Sequence, residues 1–292
     1  MSVCIAAICR QKEGEARIRK IFAMCDRKAS SGEFTNEDAT IKSWMFHPRW
    51  LAMFAGADIS PCNPILRAVA AEIVDSDPVA EHVKRAFETH YQTYLSNLAA
   101  ARVLGRWKLP MKEFLETGRK KFGADVFDGL VSQIEQVKLQ CQFLVCGFEG
   151  QSTPHIFTVK NPGYVEDRSI PGYWAIGNGD FAAMSTLGFY QQSIIKSLGE
   201  TYYNVMSAKF MAEKATHEVG ENSFFWQLGK NGNEECDGGM EALVRGVWEK
   251  SGQPRVPSWF VQELDENLQG TRSAVDLLQK LQNKEEFLKT IK

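Results

Sequence analysis

The sequence predicts an α+β fold, and three observations support this class. Two apolar runs near the start, residues 3–9 and 21–25, are typical of strands that are buried on both faces. Apolar residues then recur at helical spacing between residues 65 and 136, and strand-like segments return from residue 142. Runs of strands followed by runs of helices favour α+β over a doubly wound parallel sheet.

The first part of the chain predicts four strands, at residues 3–9, 21–25, 41–46 and 49–54. The charged segment 11–20 predicts an enlarged hairpin loop between the first two strands. Residues 30–38 contain turn-forming Ser, Gly and Asn, and His47-Pro48 predicts the turn between the last two strands.

The middle of the chain predicts helices with interruptions. Apolar residues keep helical spacing over 65–74 and 79–104, and breaks at Leu109-Pro110 and Phe122-Gly123 flank a shorter helix. Residues 127–136 continue the helical pattern. The second half then predicts strands at 142–148, 155–160 and 174–176, helices at 181–198 and 201–216, and a last strand at 223–228.

Composition excludes several functional classes. The 292 residues carry a net charge of −2 and 44% are hydrophobic, which argues against disorder and against a strongly basic nucleic-acid protein. The longest uncharged stretch, residues 181–195, is shorter than the roughly 20 residues that a membrane-spanning helix needs. Seven cysteines without a C-x-x-C pair indicate reduced thiols in a cytoplasmic protein, and the scattered histidines predict no metal site.

Four residues near the N-terminus form a candidate catalytic set. Ser2 is expected to become the first residue once Met1 is removed, because the second residue is small. Its hydroxyl can then be the nucleophile and its own α-amine the general base, since the ordinary pKa of an α-amine lies close to working pH. Lys42 would favour the unprotonated amine by like-charge repulsion, and Asp26 would hold Lys42 in place. The backbone N–H of Gly56 would bind the oxyanion of a tetrahedral intermediate.

The four residues lie in short segments whose order and spacing match a known family. The segments are Ser2-Val3-Cys4-Ile5-Ala6, Asp26-Arg27-Lys28-Ala29-Ser30, Thr40-Ile41-Lys42, Phe54-Ala55-Gly56 and Ala175-Ile176-Gly177-Asn178-Gly179. The chain resembles the proteasome β-type subunits of the N-terminal-nucleophile hydrolase superfamily, and its start is similar to that of bacterial proteasome-like proteins. The Asp26-to-Lys42 and Lys42-to-Gly56 spacings are the most specific part of the match.

The resemblance implies a four-layer αββα sandwich, with two antiparallel sheets face to face and helix pairs outside. It assigns residues 2–228 to this domain, with an extra helical excursion at about 95–124. Residues 229–292 are then a linker, rich in Gly, Asn and acidic residues at 230–239, followed by a helical C-terminal extension.

The resemblance also implies the family's catalytic roles for Ser2, Asp26, Lys42 and Gly56. Ser30 corresponds to a residue that contacts the bound substrate backbone, and Asn178 to a Ser that supports the terminal amine. The family's later Asp–x–x–Ser pair has no clear counterpart here, and Ala215 lies near the Asp position.

The implied activity is that of a self-activating serine-type peptidase or amide hydrolase, which forms an acyl-enzyme and needs no cofactor. The implied partners are a peptide or small amide substrate and further copies of the chain in a ring or ring-like homo-oligomer. Cooperation with an ATP-dependent unfoldase is left open, and neither a nucleic acid nor a membrane is expected as a partner.

Other interpretations stay open beside this one. A catalytically inactive assembly or scaffold subunit would use Asp26 and Lys42 as a structural ion pair. A small-amide hydrolase would keep the chemistry and change the substrate. Cys4 is a weaker candidate nucleophile because it lies within a buried strand. A solvated face or a site for an acidic partner would explain the basic cluster Lys112, Arg119, Lys120 and Lys121.

Overall fold

A computed structural model describes residues 2–252, apart from residues 14–15, 32–33, 37–40, 75–76, 151, 231 and 236–237. Only the backbone is described at residues 12–13, 16–17, 29–31, 34–35, 232, 238–239 and 251–252. Within these bounds the chain is mixed α+β, with two antiparallel sheets of five strands each and seven α-helices. One compact unit ends at Gly246, and a second begins at Val247.

The elements are named here in chain order. The strands are β1 (Val3–Glu13), β2 (Ala16–Asp26), β3 (Ala29–Ser31), β4 (Phe34–Asn36), β5 (Ser43–His47), β6 (Trp50–Gly56), β7 (Cys141–Glu149), β8 (Thr153–Lys160), β9 (Tyr164–Asp167), β10 (Tyr173–Gly177), β11 (Ser223–Gly229) and β12 (Gly232–Glu235). The α-helices are α1 (Cys62–Glu72), α2 (Ala80–Ala99), α3 (Met111–Phe122), α4 (Ala124–Gln136), α5 (Asp180–Phe189), α6 (Leu198–Ala215) and α7 (Gly238–Val247). Ala100–Leu104 and Trp248–Gly252 are π-helical, and Gly105–Trp107 is a 3-10 turn.

The first sheet has the spatial order β10-β1-β2-β11-β12, and each strand is antiparallel to its neighbours. The second sheet has the order β5-β6-β7-β8-β9 and is also antiparallel throughout. β3 and β4 form a separate two-stranded hairpin. The first sheet therefore joins the start of the chain to a distant strand, with Val3 of β1 opposite Gly177 of β10.

The two sheets share one hydrophobic core. Alternate residues of β1, namely Cys4, Ala6 and Ile8, face this core, as the two-residue period of a strand requires. Leu51 and Met53 of β6 enter the same core from the second sheet. All five side chains are almost fully buried, so the sheets pack against each other through these faces.

Helices cover the opposite face of each sheet. On the second sheet, α1 and α2 pack over β7 and β8, and the ring of Phe87 lies 5.5 Å from that of Phe143. On the first sheet, the ring of Phe22 in β2 lies 4.7 Å from that of Tyr202 in α6. Each outer sheet face therefore has its own aromatic contact with a helix.

The segment after α2 forms a helical excursion with a small core of its own. Leu104, Phe114 and Leu130 are buried together there, and the rings of Phe114 and Phe127 stack at 4.9 Å. The excursion predicted near 95–124 is helical in the structure, and it continues through α4 to Gln136.

Two polar segments are more regular than their composition predicts. The enlarged loop predicted at 11–20 is wrong, because β1 and β2 stay paired from Gln11 opposite Ile18 to Glu13 opposite Ala16. Part of the predicted linker at 230–239 is strand β12, which pairs with β11. Both cases have one physical reason: ladder hydrogen bonds come from the backbone, so charged residues at a sheet margin do not prevent pairing.

The predicted helix at 181–198 is interrupted. α5 ends at Phe189, and Gln191 adopts a left-handed conformation with φ of 52°. α6 then begins after Ser197, whose hydroxyl accepts a hydrogen bond from the Glu200 N–H while the Glu200 carboxylate accepts one from the Ser197 N–H. This capping box is a helix-start signal that the sequence itself contains.

Candidate active site

Ser2 lies directly before β1 and is buried, with 1% of its surface exposed. Its carbonyl accepts a hydrogen bond from the Gly179 N–H at 3.3 Å. Gly177 pairs with Val3 across the β1–β10 ladder and has φ of 98°, where glycine is favoured. A Cβ on Gly177 would lie 2.1 Å from the Ser2 carbonyl oxygen. The turn after β10 therefore fits closely around the Ser2 backbone.

Asp26 is the last residue of β2, next to β1 in the first sheet. Its Oδ1 accepts a hydrogen bond from the Val3 N–H at 2.8 Å. Its Oδ2 lies 3.0 Å from the Nζ of Lys42. One carboxylate thus joins the amide that follows Ser2 to the Lys42 ammonium group.

Lys42 lies directly before β5, and its carbonyl accepts a hydrogen bond from the Phe54 N–H at 3.0 Å. Its side chain is 2% exposed and that of Asp26 is fully buried. A charge in such surroundings is stable only when it is paired and hydrogen-bonded. Asp26 and Lys42 therefore form a buried pair beside the start of β1.

Two further backbone donors complete the surroundings of Asp26. Its Oδ2 accepts hydrogen bonds from the N–H of Gly220 at 3.1 Å and of Lys28 at 3.3 Å. Sequence reasoning missed Gly220, which lies 194 residues from Asp26. The segment between α6 and β11 brings it to the site, and the Lys28 ammonium group donates to the carbonyl of His217 in that segment at 2.7 Å.

Gly56 ends β6 and lies opposite Cys141 in β7. A Cβ at this position would lie 2.0 Å from the Gln140 carbonyl oxygen, so no larger residue fits without a shift. The preceding residue, Ala55, lies near the turn that holds Ser2: its Cβ is 3.2 Å from where a Cβ of Gly177 would lie. Gly56 also lines a cavity of about 270 Å³.

The sequence suggests Asn178 and Ser30 as residues that support the site, and the structure describes the side chain of Asn178 only. Asn178 is exposed, and its amide donates a hydrogen bond to the Glu218 carboxylate. Ser30 lies in β3, where it pairs with Thr35, and its side chain lies outside the described residues. Ala215 ends α6, and the hydroxyl of the next residue, Thr216, accepts a hydrogen bond from the Glu218 N–H at 3.2 Å.

The thiol of Cys4 is buried in the core that the two sheets share. Its Sγ donates to the Phe54 carbonyl at 3.5 Å. Burial raises the pKa of Cys4, and the neighbouring Cys25 and Asp26 add to this effect while Lys42 opposes it. A nucleophilic thiolate is therefore disfavoured at this position.

Over the described residues, no group of three or more His, Cys, Asp or Glu side chains could hold a metal ion. The helices described here include none with the length and apolar character needed to cross a membrane.

Comparison with known proteins adds no family to this geometry. No protein-family model matches the chain, and no curated protein matches it significantly.

Proposed function

We propose that the protein is an N-terminal-serine hydrolase of the proteasome type, and that its two packed sheets with outer helices form the four-layer αββα sandwich of that superfamily. The single observation that supports this most is the buried Asp26 carboxylate. It links the amide next to Ser2 to the ammonium group of Lys42. Asp26, at the end of β2, thereby contacts both the backbone of Val3 at the start of β1 and the side chain of Lys42 directly before β5.

In the proposed acylation step, Ser2 first gains a free α-amine by loss of the residue before it. The Ser2 Oγ attacks the carbonyl carbon of an amide, forming a C–O bond, while its proton passes to the α-amine. The tetrahedral intermediate collapses with cleavage of the C–N bond. The leaving amine takes the proton from the α-ammonium group, and an ester to Ser2 remains.

In the proposed deacylation step, water attacks that ester and gives a proton to the same α-amine. The C–O bond to Ser2 breaks, Oγ recovers the proton, and a carboxylic acid leaves. Lys42 contributes a positive charge near the reacting atoms, and Asp26 keeps Lys42 in place. The N–H of Gly56 binds the negative oxygen of each intermediate, a contribution of about 3–4 kcal/mol in comparable sites.

The cavity beside Gly56 bears on the substrate. Its volume of about 270 Å³ is slightly smaller than the roughly 300–1,000 Å³ of typical small-molecule sites, and its lining includes Gln140, Lys160 and Asn161. A space of this size suits one side chain of a peptide or the acyl group of a small amide. The proposal therefore includes both peptides and small amides as substrates. The resemblance to proteasome β-type subunits is the basis for including a ring-like homo-oligomer in the proposal.

A non-catalytic assembly subunit is the second candidate, and one observation favours it. The Asp26 carboxylate accepts four hydrogen bonds, three of them from the backbone N–H groups of Val3, Lys28 and Gly220. Such a well-satisfied carboxylate can also act as a structural anchor that joins separate segments.

Intact-mass spectrometry and covalent labelling test the proposal together. The purified protein is expected to lack Met1 and to gain the mass of one β-lactone probe, whose ring opens as its carbonyl is transferred to Ser2. Ser2→Ala is expected to abolish labelling, whereas Ser185→Ala, at an exposed serine of α5, is expected to retain it.

Two results would overturn the hydrolase proposal. One is a mature chain in which Met1 remains attached to Ser2. The other is labelling that Ser2→Ala leaves unchanged. A folded protein without labelling or turnover of peptide and acyl-amide substrates would favour the assembly subunit instead.

A further inference from the structure

Four charged side chains form a cluster between α6 and α7 that the proposed mechanism does not use. Lys209 and Glu213 lie on α6, and Glu241 and Arg245 lie on α7. The Lys209 side chain is fully buried, and those of Glu213 and Glu241 are 10% and 13% exposed. We refer to these four residues as the α6–α7 cluster. Its two positive and two negative charges balance, as buried charges require.

The contacts inside the cluster are closely interlocked. Lys209 Nζ lies 2.8 Å from Glu241 Oε1 and also contacts Glu213. Arg245 donates to both carboxylate oxygens of Glu213, at 2.6 and 3.0 Å, and to Glu241 at 3.0 Å. Its guanidinium carbon also lies 4.2 Å from the centre of the Phe210 ring. Bidentate geometry and a flanking ring fix the orientation of Arg245.

The cluster reaches the candidate active site through one backbone carbonyl. Lys209 Nζ donates to the carbonyl of Glu221, and Arg245 Nη2 donates to the same oxygen at 3.2 Å. Glu221 directly follows Gly220, whose N–H donates to Asp26 Oδ2 at 3.1 Å. The side chains of Lys209 and Arg245 thus both bind the carbonyl of Glu221, and the residue before it, Gly220, donates a hydrogen bond to Asp26.

We propose that the α6–α7 cluster positions the Asp26 carboxylate. By fixing the Glu221 carbonyl, Lys209 and Arg245 keep the N–H of Gly220 directed at Asp26. The inference rests on the proposed function, since Asp26 is a catalytic partner only there. It makes α7 a support of the active site, although no residue of α7 touches Asp26 in the contacts that the structure describes.

Arg245 offers the sharpest test because its side chain is 27% exposed and its loss leaves Lys209 in place. Arg245→Ala removes one donor to the Glu221 carbonyl. The rate constant for labelling of Ser2 at saturating β-lactone is expected to fall about 10-fold, while the half-saturating probe concentration stays within about 2-fold. Arg245→Lys keeps the charge and is expected to restore part of the rate.

Hydrogen exchange provides a readout that does not depend on activity. The amide of Gly220 is expected to exchange faster in Arg245→Ala than in the unmodified protein. Glu113→Gln is the matched control, because it breaks an exposed ion pair between Glu113 and Lys121 in α3. That control is expected to change neither the exchange of Gly220 nor the labelling of Ser2.

A second variant covers the case in which Arg245→Ala does not fold. Glu241→Gln keeps the shape of the side chain and removes one charge from the cluster, and it is expected to cause a smaller change in the same direction. Circular dichroism and thermal unfolding of each variant show which of them are folded.

The outcomes separate this inference from the proposed function. An unmodified protein that is not labelled at Ser2 contradicts the proposed function. Normal labelling in a folded Arg245→Ala protein, or unchanged exchange at Gly220, contradicts the positioning role alone. Slower labelling together with faster exchange at Gly220 supports it.

Discussion

The Nζ of Lys42 lies 3.0 Å from Oδ2 of Asp26, and both side chains are almost completely shielded from solvent. The pair connects the end of β2 in the first sheet with the start of β5 in the second. It is therefore a link between the two sheets as well as the centre of the candidate active site.

Removing one member of this pair is expected to destabilise the fold. Lys42→Met leaves the Asp26 carboxylate buried without its cation, and such a loss typically lowers the free energy of unfolding by about 3–5 kcal/mol. Urea denaturation measures the change. Lys121→Met is the matched control, because its ion pair with Glu113 is about half exposed and is expected to contribute at most about 1 kcal/mol.

The double variant Asp26→Asn with Lys42→Met separates stability from catalysis. It removes both charges, but the Asn amide offers one oxygen where the carboxylate accepts backbone N–H bonds at both, so only part of the lost stability is expected to return. Labelling of Ser2 is expected to be absent. Labelling at the normal rate in this folded double variant would contradict the catalytic role of the pair. Equal effects of Lys42→Met and Lys121→Met on unfolding would contradict the burial of the pair.

Gly177→Ala is expected to disturb the position of Ser2. The added Cβ would meet the Ser2 carbonyl oxygen at 2.1 Å, and φ of 98° is unfavourable for alanine. Gly123→Ala is the control, since Gly123 has φ of 80° but no atom within 4 Å of an added Cβ. Gly123, with φ of 80° and ψ of 163°, lies in a region that is essentially restricted to glycine, so Gly123→Ala should show only the backbone strain, about 1–3 kcal/mol.

Labelling of Ser2 and thermal unfolding distinguish the two glycine variants. We expect Gly177→Ala to lose both labelling and stability, and Gly123→Ala to lose a smaller amount of stability with normal labelling. Similar behaviour of the two variants would show that the close contact with Ser2 is unimportant.

Gly56→Ala is expected to displace the end of β6 from β7. An added Cβ would lie 2.0 Å from the Gln140 carbonyl oxygen, which is a backbone atom and cannot rotate away. A loss of more than about 2 kcal/mol in the free energy of unfolding is expected from such overpacking. Gly188→Ala, at an exposed helical position with nothing within 4 Å, is expected to be neutral or to stabilise by about 0.5–1 kcal/mol. Denaturant titration of the two variants gives the comparison, and a stable Gly56→Ala protein would contradict this packing.

The buried thiols of Cys9 and Cys25 are expected to make the free energy of unfolding fall at alkaline pH. Burial raises the pKa of Cys25 to about 12 and that of Cys9 to about 12. Above about pH 9 the unfolded chain releases these protons, whereas the folded chain retains them up to about pH 12. The unfolded state then binds fewer protons, so the free energy of unfolding falls as the pH rises through this window.

Urea titrations between pH 7 and pH 10.5 or so measure this slope. In Cys25→Ala, the free energy of unfolding is expected to fall less steeply with pH, because this thiol no longer releases a proton in the unfolded state. An unchanged slope in Cys25→Ala would contradict the assignment of this pH dependence to that thiol.

Local sequence patterns predicted most of the regular elements. The apolar runs of β1 and β2 and the alternation of strands and helices follow from side-chain periodicity, which depends only on near neighbours. The start of α6 was missed, because the predicted helix at 181–198 runs across Ser197, although Ser197 and Glu200 form a capping box that the sequence contains. The paired strands across 11–20 and the strand β12 were not predictable in this way, because their charged sequences resemble loops and their pairing comes from the backbone.

The candidate site, like the fold, was predicted in part by the sequence. By itself, the sequence determined which residue types could supply a nucleophile, a buried ion pair and a close backbone approach, and it marked Ser2, Asp26, Lys42 and Gly56 in this way. Only the tertiary structure decided that Asp26 binds the Val3 amide and Lys42, and that Gly220 supports it from 194 residues away. The physical reason is that such contacts depend on how the sheets, α6 and the segment before β11 pack together, and no local pattern encodes that packing.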